Sequence, residues 1–326
     1  MTYPTARQGG PASSRLGILF VVAGVSLFSV QDVIIKGISG GYPVHEIVFV
    51  RGLVAAPAIL LIAWLEGQLA RLRTRRPGLH LLRASLFFLT YTFYYLGLAT
   101  LPLADVLTLF FAAPLFVTAV SVPLLGESVG AREWLAVCAG FAGVVVAMRP
   151  GTMAVDPAAL LPVLSALFYA FVCVITRWLG STDSGSSIAF YSTTFMMLAG
   201  GAMGLLLGQG RLAGGEHASL QFLLRPWVFP SWADLGLMAL CGLIASVGYY
   251  CLAQAYRVAA AKVVAPFEYV AVPLGAVWGY LAWGDVPGRH VLLGMAIILG
   301  SGVYVLRRQR DIAAAHRMAG LRKGPR

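Results

Sequence analysis

The sequence predicts an all-α integral membrane protein: ten transmembrane helices arranged as two inverted five-helix repeats. Three observations predict it. The chain is 59% hydrophobic and only 11% charged over 326 residues, where a soluble domain carries about 25% charged residues. Ten separate stretches are apolar for roughly the 20 residues a spanning helix needs. The chain also repeats itself. Tyr94-Tyr95, Pro114-Leu115, Gly126-Glu127 and Gly140-x-x-Gly143 recur as Tyr249-Tyr250, Pro273-Leu274, Gly284-Asp285 and Gly300-x-Gly302. An internally duplicated, almost wholly hydrophobic chain is the signature of a carrier built from two related halves.

In order along the chain, Met1 to Ser14 is polar and rich in Gly, Pro and Ser, and is expected to be a disordered cytoplasmic N-terminus rather than a signal peptide. The ten runs follow at about 16–38, 44–65, 79–100, 103–125, 132–149, 157–178, 186–208, 232–254, 262–283 and 289–307. The first five make one repeat (15–150) and the last five the other (151–307). Residues 308–326 form a basic cytoplasmic tail. Five is an odd number, so two sequential copies must insert with opposite orientation, leaving a site near the midplane between them. The 209–231 stretch is the one long connection; Phe222, Arg225 and Trp227 suggest a segment lying along the membrane surface.

The net charge of +11 invites a nucleic-acid reading, and its placement argues against one. With the N-terminus inside, 18 of the 24 Lys and Arg residues fall on the cytoplasmic side. That split follows the positive-inside rule and puts both termini in the cytoplasm. Cys138, Cys173, Cys241 and Cys251 all lie in apolar runs without a C-x-x-C, so no disulfide or metal framework is expected. The five histidines sit at segment edges or in loops and there is no H-E-x-x-H, which argues against an intramembrane enzyme.

A charge at mid-bilayer costs about 2.5–3.5 kcal/mol on insertion scales, so each one needs a reason. Asp32 and Lys36 are four apart on the first helix, with Gln31 beside them. Either Asp32 and Lys36 neutralise each other, or Asp32 and Gln31 face a cavity and bind substrate. Glu268 follows Pro266, which can kink its helix; it either carries substrate or protons alongside Tyr269, or pairs with Lys262 or Arg257. Arg51 reads as a shallow structural ion-pair partner of Glu46 or Asp32, and Asp105 as an acid at a helix N-terminus. Pro114 and Pro273 occupy equivalent places and are expected to bend their helices. Tyr91 and Tyr95 share a helix face; with Phe111, Tyr169 and Tyr249 they offer an aromatic wall suited to a cationic, zwitterionic or planar amphipathic metabolite. Gly200, Gly204 and Gly208, and Gly275 with Gly279, allow close helix packing or a homodimer face, so monomer and homodimer both stand.

The Ala104-Asp105, Pro114-Leu115, Gly126-Glu127 and Gly140-x-x-Gly143 string resembles the drug/metabolite transporter superfamily, specifically its EamA-type ten-helix members, over about residues 15–307. Asp285 departs from that pattern, which has Glu there, and the Pro266-Phe267-Glu268-Tyr269 stretch is unusual. The resemblance implies a cavity lined by helices one, three, four, six, eight and nine, in a bacterial-type inner membrane. It implies a secondary transporter moving a small organic metabolite, an amino acid or a related amphipathic or cationic compound, by alternating access. An S-adenosylmethionine-like or nucleoside-like substrate is an alternative, and a channel or lipid scramblase is an alternative of another class. The lone acids fit proton coupling or exchange. No cofactor is expected; the partners are the substrate and the bilayer.

Overall fold

A computed structural model describes residues 11–67, 69–126, 129–148, 156–179, 183, 185–211, 217–258 and 267–304. All regular elements among the described residues are helices. Helices α1 (Pro11–Ile38), α2 (Val44–Leu65), α3 (Pro77–Leu98), α4 (Leu103–Phe110), α5 (Ala113–Leu125) and α6 (Ala131–Met148) make the first half. The second half holds α7 (Leu160–Leu179), α8 (Gly185–Leu207), α9 (Ala218–Leu224), α10 (Trp232–Val258), α11 (Ala271–Trp283) and α12 (Arg289–Tyr304). Among the described residues, eight segments are long and apolar enough to cross a membrane, with α4 and α5 counted as one. These eight coincide with the first eight apolar runs. α11 and α12 are shorter apolar helices, and residues 259–266 of the ninth run lie outside the described residues.

Local chemistry sets the boundaries. Pro43 and Pro102 stand at the N-caps of α2 and α4, and Pro77 opens α3, because proline cannot continue an incoming helix but suits its first turn. Gly126 and Gly284 end α5 and α11 with φ of 67° and 71°. That left-handed cap explains the repeated glycine before the acid, since a side chain there is strained. The expected bends are breaks. Phe111 and Ala112 interrupt the helix between α4 and α5, and Tyr269 and Val270 interrupt it just before α11. Pro114 and Pro273 lie in the first turn after each break. Pro114 has no N–H to give the Phe110 carbonyl, and the chain crosses the gap on tighter bonds such as Ala112 N to Leu109 O at 3.1 Å.

The helices pack in a small set of pairs: α1 on α10, α3 on α7, α2 on α8 and α10, α3 on α8, α5 on α7, α1 on α11 and α4 on α11. Ile35, Ile47, Leu98, Leu103, Phe222 and Met238 fill the centre and are essentially inaccessible. Leu205, Leu206, Phe229 and Trp232 are about four-fifths exposed (81%, 78%, 82% and 81%), as a lipid-facing belt requires.

The stretch from 217 to 231, expected to lie along the membrane surface, is anchored in the helix bundle. Phe222 is buried in the core. Trp227 donates from Nε1 to His45 Nδ1 at 2.5 Å and its backbone N–H bonds Gly208 O at 3.0 Å. Its ring lies against Gly204, where a Cβ would come within 2.2 Å of it. The G-x-x-x-G steps of α8 therefore seat an aromatic side chain as well as a helix: Gly200 faces the α2 backbone, with its Cβ position 2.8 Å from His45 O.

Candidate functional site

A cavity of about 280 Å³ lies among α1, α2, α3, the α4–α5 break, α7, α10 and the break before α11. Its walls follow helical spacing. α3 supplies Phe87, Thr90, Tyr91, Tyr94 and Tyr95, an i, i+3, i+4, i+7, i+8 stripe. α1 supplies Val25, Phe28, Ser29, Gln31 and Asp32. The α4–α5 break brings Phe110, Phe111 and Pro114, while α7 and α10 bring Tyr169 and Tyr249. Glu268 and Ala271 close the wall beside the second break, and Arg51 is the one lining residue from α2.

One wall is polar and tightly organised. Tyr94 and Tyr95 donate their hydroxyl hydrogens to the two carboxylate oxygens of Asp32, at 2.9 and 2.7 Å. Charge-assisted bonds of this kind are the strong ones. The Gln31 amide lies 2.9 Å from the Tyr95 hydroxyl. With its oxygen turned to Arg51 Nη1 at 3.2 Å and its nitrogen to the Cys241 carbonyl at 3.1 Å, both ends of the amide are satisfied. The Arg51 guanidinium sits 4.4 Å from the Tyr91 ring centroid and attracts Asp32 electrostatically. The carboxylate is thus held by two hydroxyls and one cation, which offsets its cost in an apolar medium.

The other walls are aromatic. Phe110 meets Tyr94 edge-on at 5.2 Å and Tyr169 at 5.6 Å. Phe28 meets Tyr249 edge-on at 5.1 Å, with Phe87 6.3 Å from the same tyrosine. Tyr91 is 7% exposed, and its hydroxyl has no hydrogen-bond partner among the described residues. A buried hydroxyl without a partner carries a penalty that a ligand or water would relieve.

Eight of the ten candidate residues line this cavity: Gln31, Asp32, Tyr91, Tyr95, Phe111, Tyr169, Tyr249 and Glu268. Pro114 lines it too, while Pro273 does not. Lys36 and Tyr269 stand apart. The Asp32–Lys36 pairing is not formed, because each finds better partners on other helices. Lys36 Nζ donates to the carbonyls of Leu98 and Leu101, at 3.0 and 2.5 Å, beyond the end of α3. It also faces the Trp283 ring at 5.3 Å and attracts Asp285 and Asp105. Asp105 therefore answers Lys36 as well as standing in the first turn of α4. One turn beyond Asp32, this layer joins α1, the α3–α4 turn and the end of α11. Tyr269 packs on Phe111 at 5.0 Å and against Gly302, where a Cβ would fall 2.3 Å from its hydroxyl.

Of its two expected partners, Arg51 attracts Asp32 and does not engage Glu46. It is 4% exposed and reaches the cavity between α1 and α3. Glu46 instead accepts from the Val228 backbone N–H at 3.4 Å. Tyr94, Phe28 and Phe110 are further wall residues outside the candidate set. The spacing of 87, 90, 91, 94 and 95 on α3 is the signal that would have included Tyr94. The Lys262 and Arg257 partners considered for Glu268 fall on residues or side chains outside those described.

Residues 15–149 match the EamA-like transporter family. A riboflavin transporter of Rhizobium johnstonii is 31% identical over 241 residues, 74% of each chain. An S-adenosylmethionine uptake transporter of Rickettsia prowazekii is 25% identical over 290 residues, 89% of this chain and 92% of the other. A protein known by crystal structure superposes with a TM-score of 0.60 at 16% identity, covering 92% of this chain and 98% of its own; at that identity the likeness speaks for the fold alone.

Proposed function

Because the chain belongs to the EamA-like transporter family, whose members carry small molecules across membranes, we propose that it is a secondary transporter for a flat, net-neutral heteroaromatic metabolite of the riboflavin kind. The observation that carries this reading is the division of the cavity. Aromatic rings from α1, α3, α4, α7 and α10 offer faces for a planar ring system. Beside them, Asp32, Arg51, Gln31 and the unpartnered Tyr91 hydroxyl offer acceptors and donors for a hydrogen-bonding edge. Such a division, a mostly apolar pocket with few placed polar groups, is how small-molecule sites obtain orientation. The riboflavin-transporting relative supports it.

The same site sits in a ten-helix, inverted-repeat carrier with repeats at 15–150 and 151–307 and both termini cytoplasmic, in the inner membrane. Two features support the duplication. Exchanging the halves turns the α1–α10 pairing into α7–α3 and the α2–α10 pairing into α8–α3, and all four occur. Each half also has a broken helix at the cavity, the arrangement inverted-repeat carriers use at the midplane. The layer around Lys36 ties α1, the α3–α4 turn and the end of α11 together one turn beyond Asp32, a tie that suits a gate in alternating access rather than a continuous pore.

A second reading, an S-adenosylmethionine-like cation, is favoured by the two acids on the wall, Asp32 and Glu268, and by the Rickettsia relative. Uptake of labelled riboflavin and of labelled S-adenosylmethionine into proteoliposomes tests both. We expect saturable riboflavin uptake that falls strongly in Asp32→Asn. Non-saturable flux unchanged by Asp32→Asn and Glu268→Gln together would contradict a carrier.

A further inference from the structure

Resting on that reading of the cavity, we infer that Arg51 is the residue that sets charge selectivity: its guanidinium keeps cations away from the Asp32 end of a site whose two acids, Asp32 and Glu268, would otherwise attract them. Arg51 comes from α2, a helix that lends the cavity nothing else. Its position is built, not incidental. At Gly242 on α10, a Cβ would lie 2.6 Å from the Arg51 carbonyl and 2.9 Å from Val54 Cβ. At Gly52, the next residue, a Cβ would lie 2.6 Å from Met197 Cβ on α8. Two glycines thus let α2 wedge between α10 and α8 at this level. That wedge carries the side chain inward to the Tyr91 ring and to Gln31.

The consequence is electrostatic. With Arg51 present, Asp32 faces a fixed cation and takes two hydroxyl bonds. A permanent cation entering the cavity meets a desolvated like charge, and like-charge juxtaposition of this kind is an established means of excluding a wrong partner. A neutral ring system meets no such opposition and can still use Arg51 and Tyr91 as hydrogen-bond partners. With Arg51 removed, Asp32 loses its compensating cation, and a cationic substrate beside it supplies the missing charge. A purely structural Arg51, present only to let Asp32 insert, would make a different prediction: its loss would weaken every substrate alike.

The test is the ratio of initial uptake rates for S-adenosylmethionine and riboflavin in proteoliposomes. It is measured for wild type, Arg51→Gln, Arg51→Lys and the double variant Asp32→Asn/Arg51→Gln. Arg51→Gln should raise the ratio by about tenfold or more. Arg51→Lys keeps the charge and should stay close to wild type. The double variant leaves two neutral side chains; its S-adenosylmethionine uptake, read on its own so that the riboflavin loss expected from Asp32→Asn does not enter, should rise above wild type, and it decides the question where Arg51→Gln fails to fold. A wild type that takes riboflavin, with a ratio unmoved in Arg51→Gln or moved equally by Arg51→Lys, or with S-adenosylmethionine uptake unmoved in the double variant, overturns the role of Arg51 alone. A wild type that prefers S-adenosylmethionine overturns the flavin reading, and the exclusion of cations with it.

Discussion

Replacing Lys36 by methionine should loosen one end of the bundle without altering the cavity wall. The ammonium makes two hydrogen bonds, to Leu98 O and Leu101 O, and so ties α1 to the α3–α4 turn. It also lies over Trp283 at the end of α11 and attracts Asp105 and Asp285. A hydrogen bond to a charged group contributes about 1.5–3 kcal/mol. Methionine keeps the stem's packing, so loss of the two bonds should weaken the closed arrangement by about 3–6 kcal/mol, or roughly 100- to 20,000-fold in its population relative to open states. Spin labels at Gly40 and Val286, both exposed, on a background without other cysteines would report the separation of α1 and α11. Wild type should give a short-distance population that Lys36→Met shifts to longer distances. Identical distance distributions, together with unchanged uptake, would refute the idea that Lys36 closes this end.

The remaining predictions concern the wall and its supports. Tyr94→Phe and Tyr95→Phe each remove one bond to Asp32 and should lower thermal stability in detergent by about 1.5–3 kcal/mol; no change in either would contradict the carboxylate network. Gly302→Ala should press on the Tyr269 hydroxyl and drive that ring toward Phe111. It should reduce uptake several-fold while α12 stays folded by circular dichroism. Gly204→Leu should expel Trp227 from its seat and speed chymotryptic cleavage after Trp227; unchanged cleavage would mean the seat does not hold this segment. Phe222→Ala should cost about 3–5 kcal/mol, as large aromatic truncations in cores do.

What the sequence discloses, and what it conceals, follows from the range of the forces involved. Eight spans are legible because the bilayer imposes length and apolarity locally, residue by residue. Asp32 is legible as a cavity residue for the same reason, since a carboxylate in an apolar helix is costly anywhere. The pairing of Lys36 with Asp32 is a sound helix-surface expectation that tertiary structure overrides. Two backbone carbonyls at the end of α3 satisfy the ammonium, and Tyr94 and Tyr95 satisfy the acid. Arg51 is concealed because its depth along α2 says nothing about rotation. Only the packing of Gly242 and Met197 around residues 51 and 52 turns it inward. The repeated prolines are legible as bends, but their opening into full breaks depends on the local hydrogen bonds around Phe111 and Tyr269.

The most direct test of the central claim is equilibrium binding of riboflavin to the purified protein, followed by quenching of flavin fluorescence. An aromatic-walled site predicts saturable quenching that weakens by about tenfold in Tyr91→Phe, which deletes the open hydroxyl, and by more in Asp32→Asn. Quenching that never saturates, or that is the same in wild type and both variants, would contradict the assignment of this cavity as the substrate site.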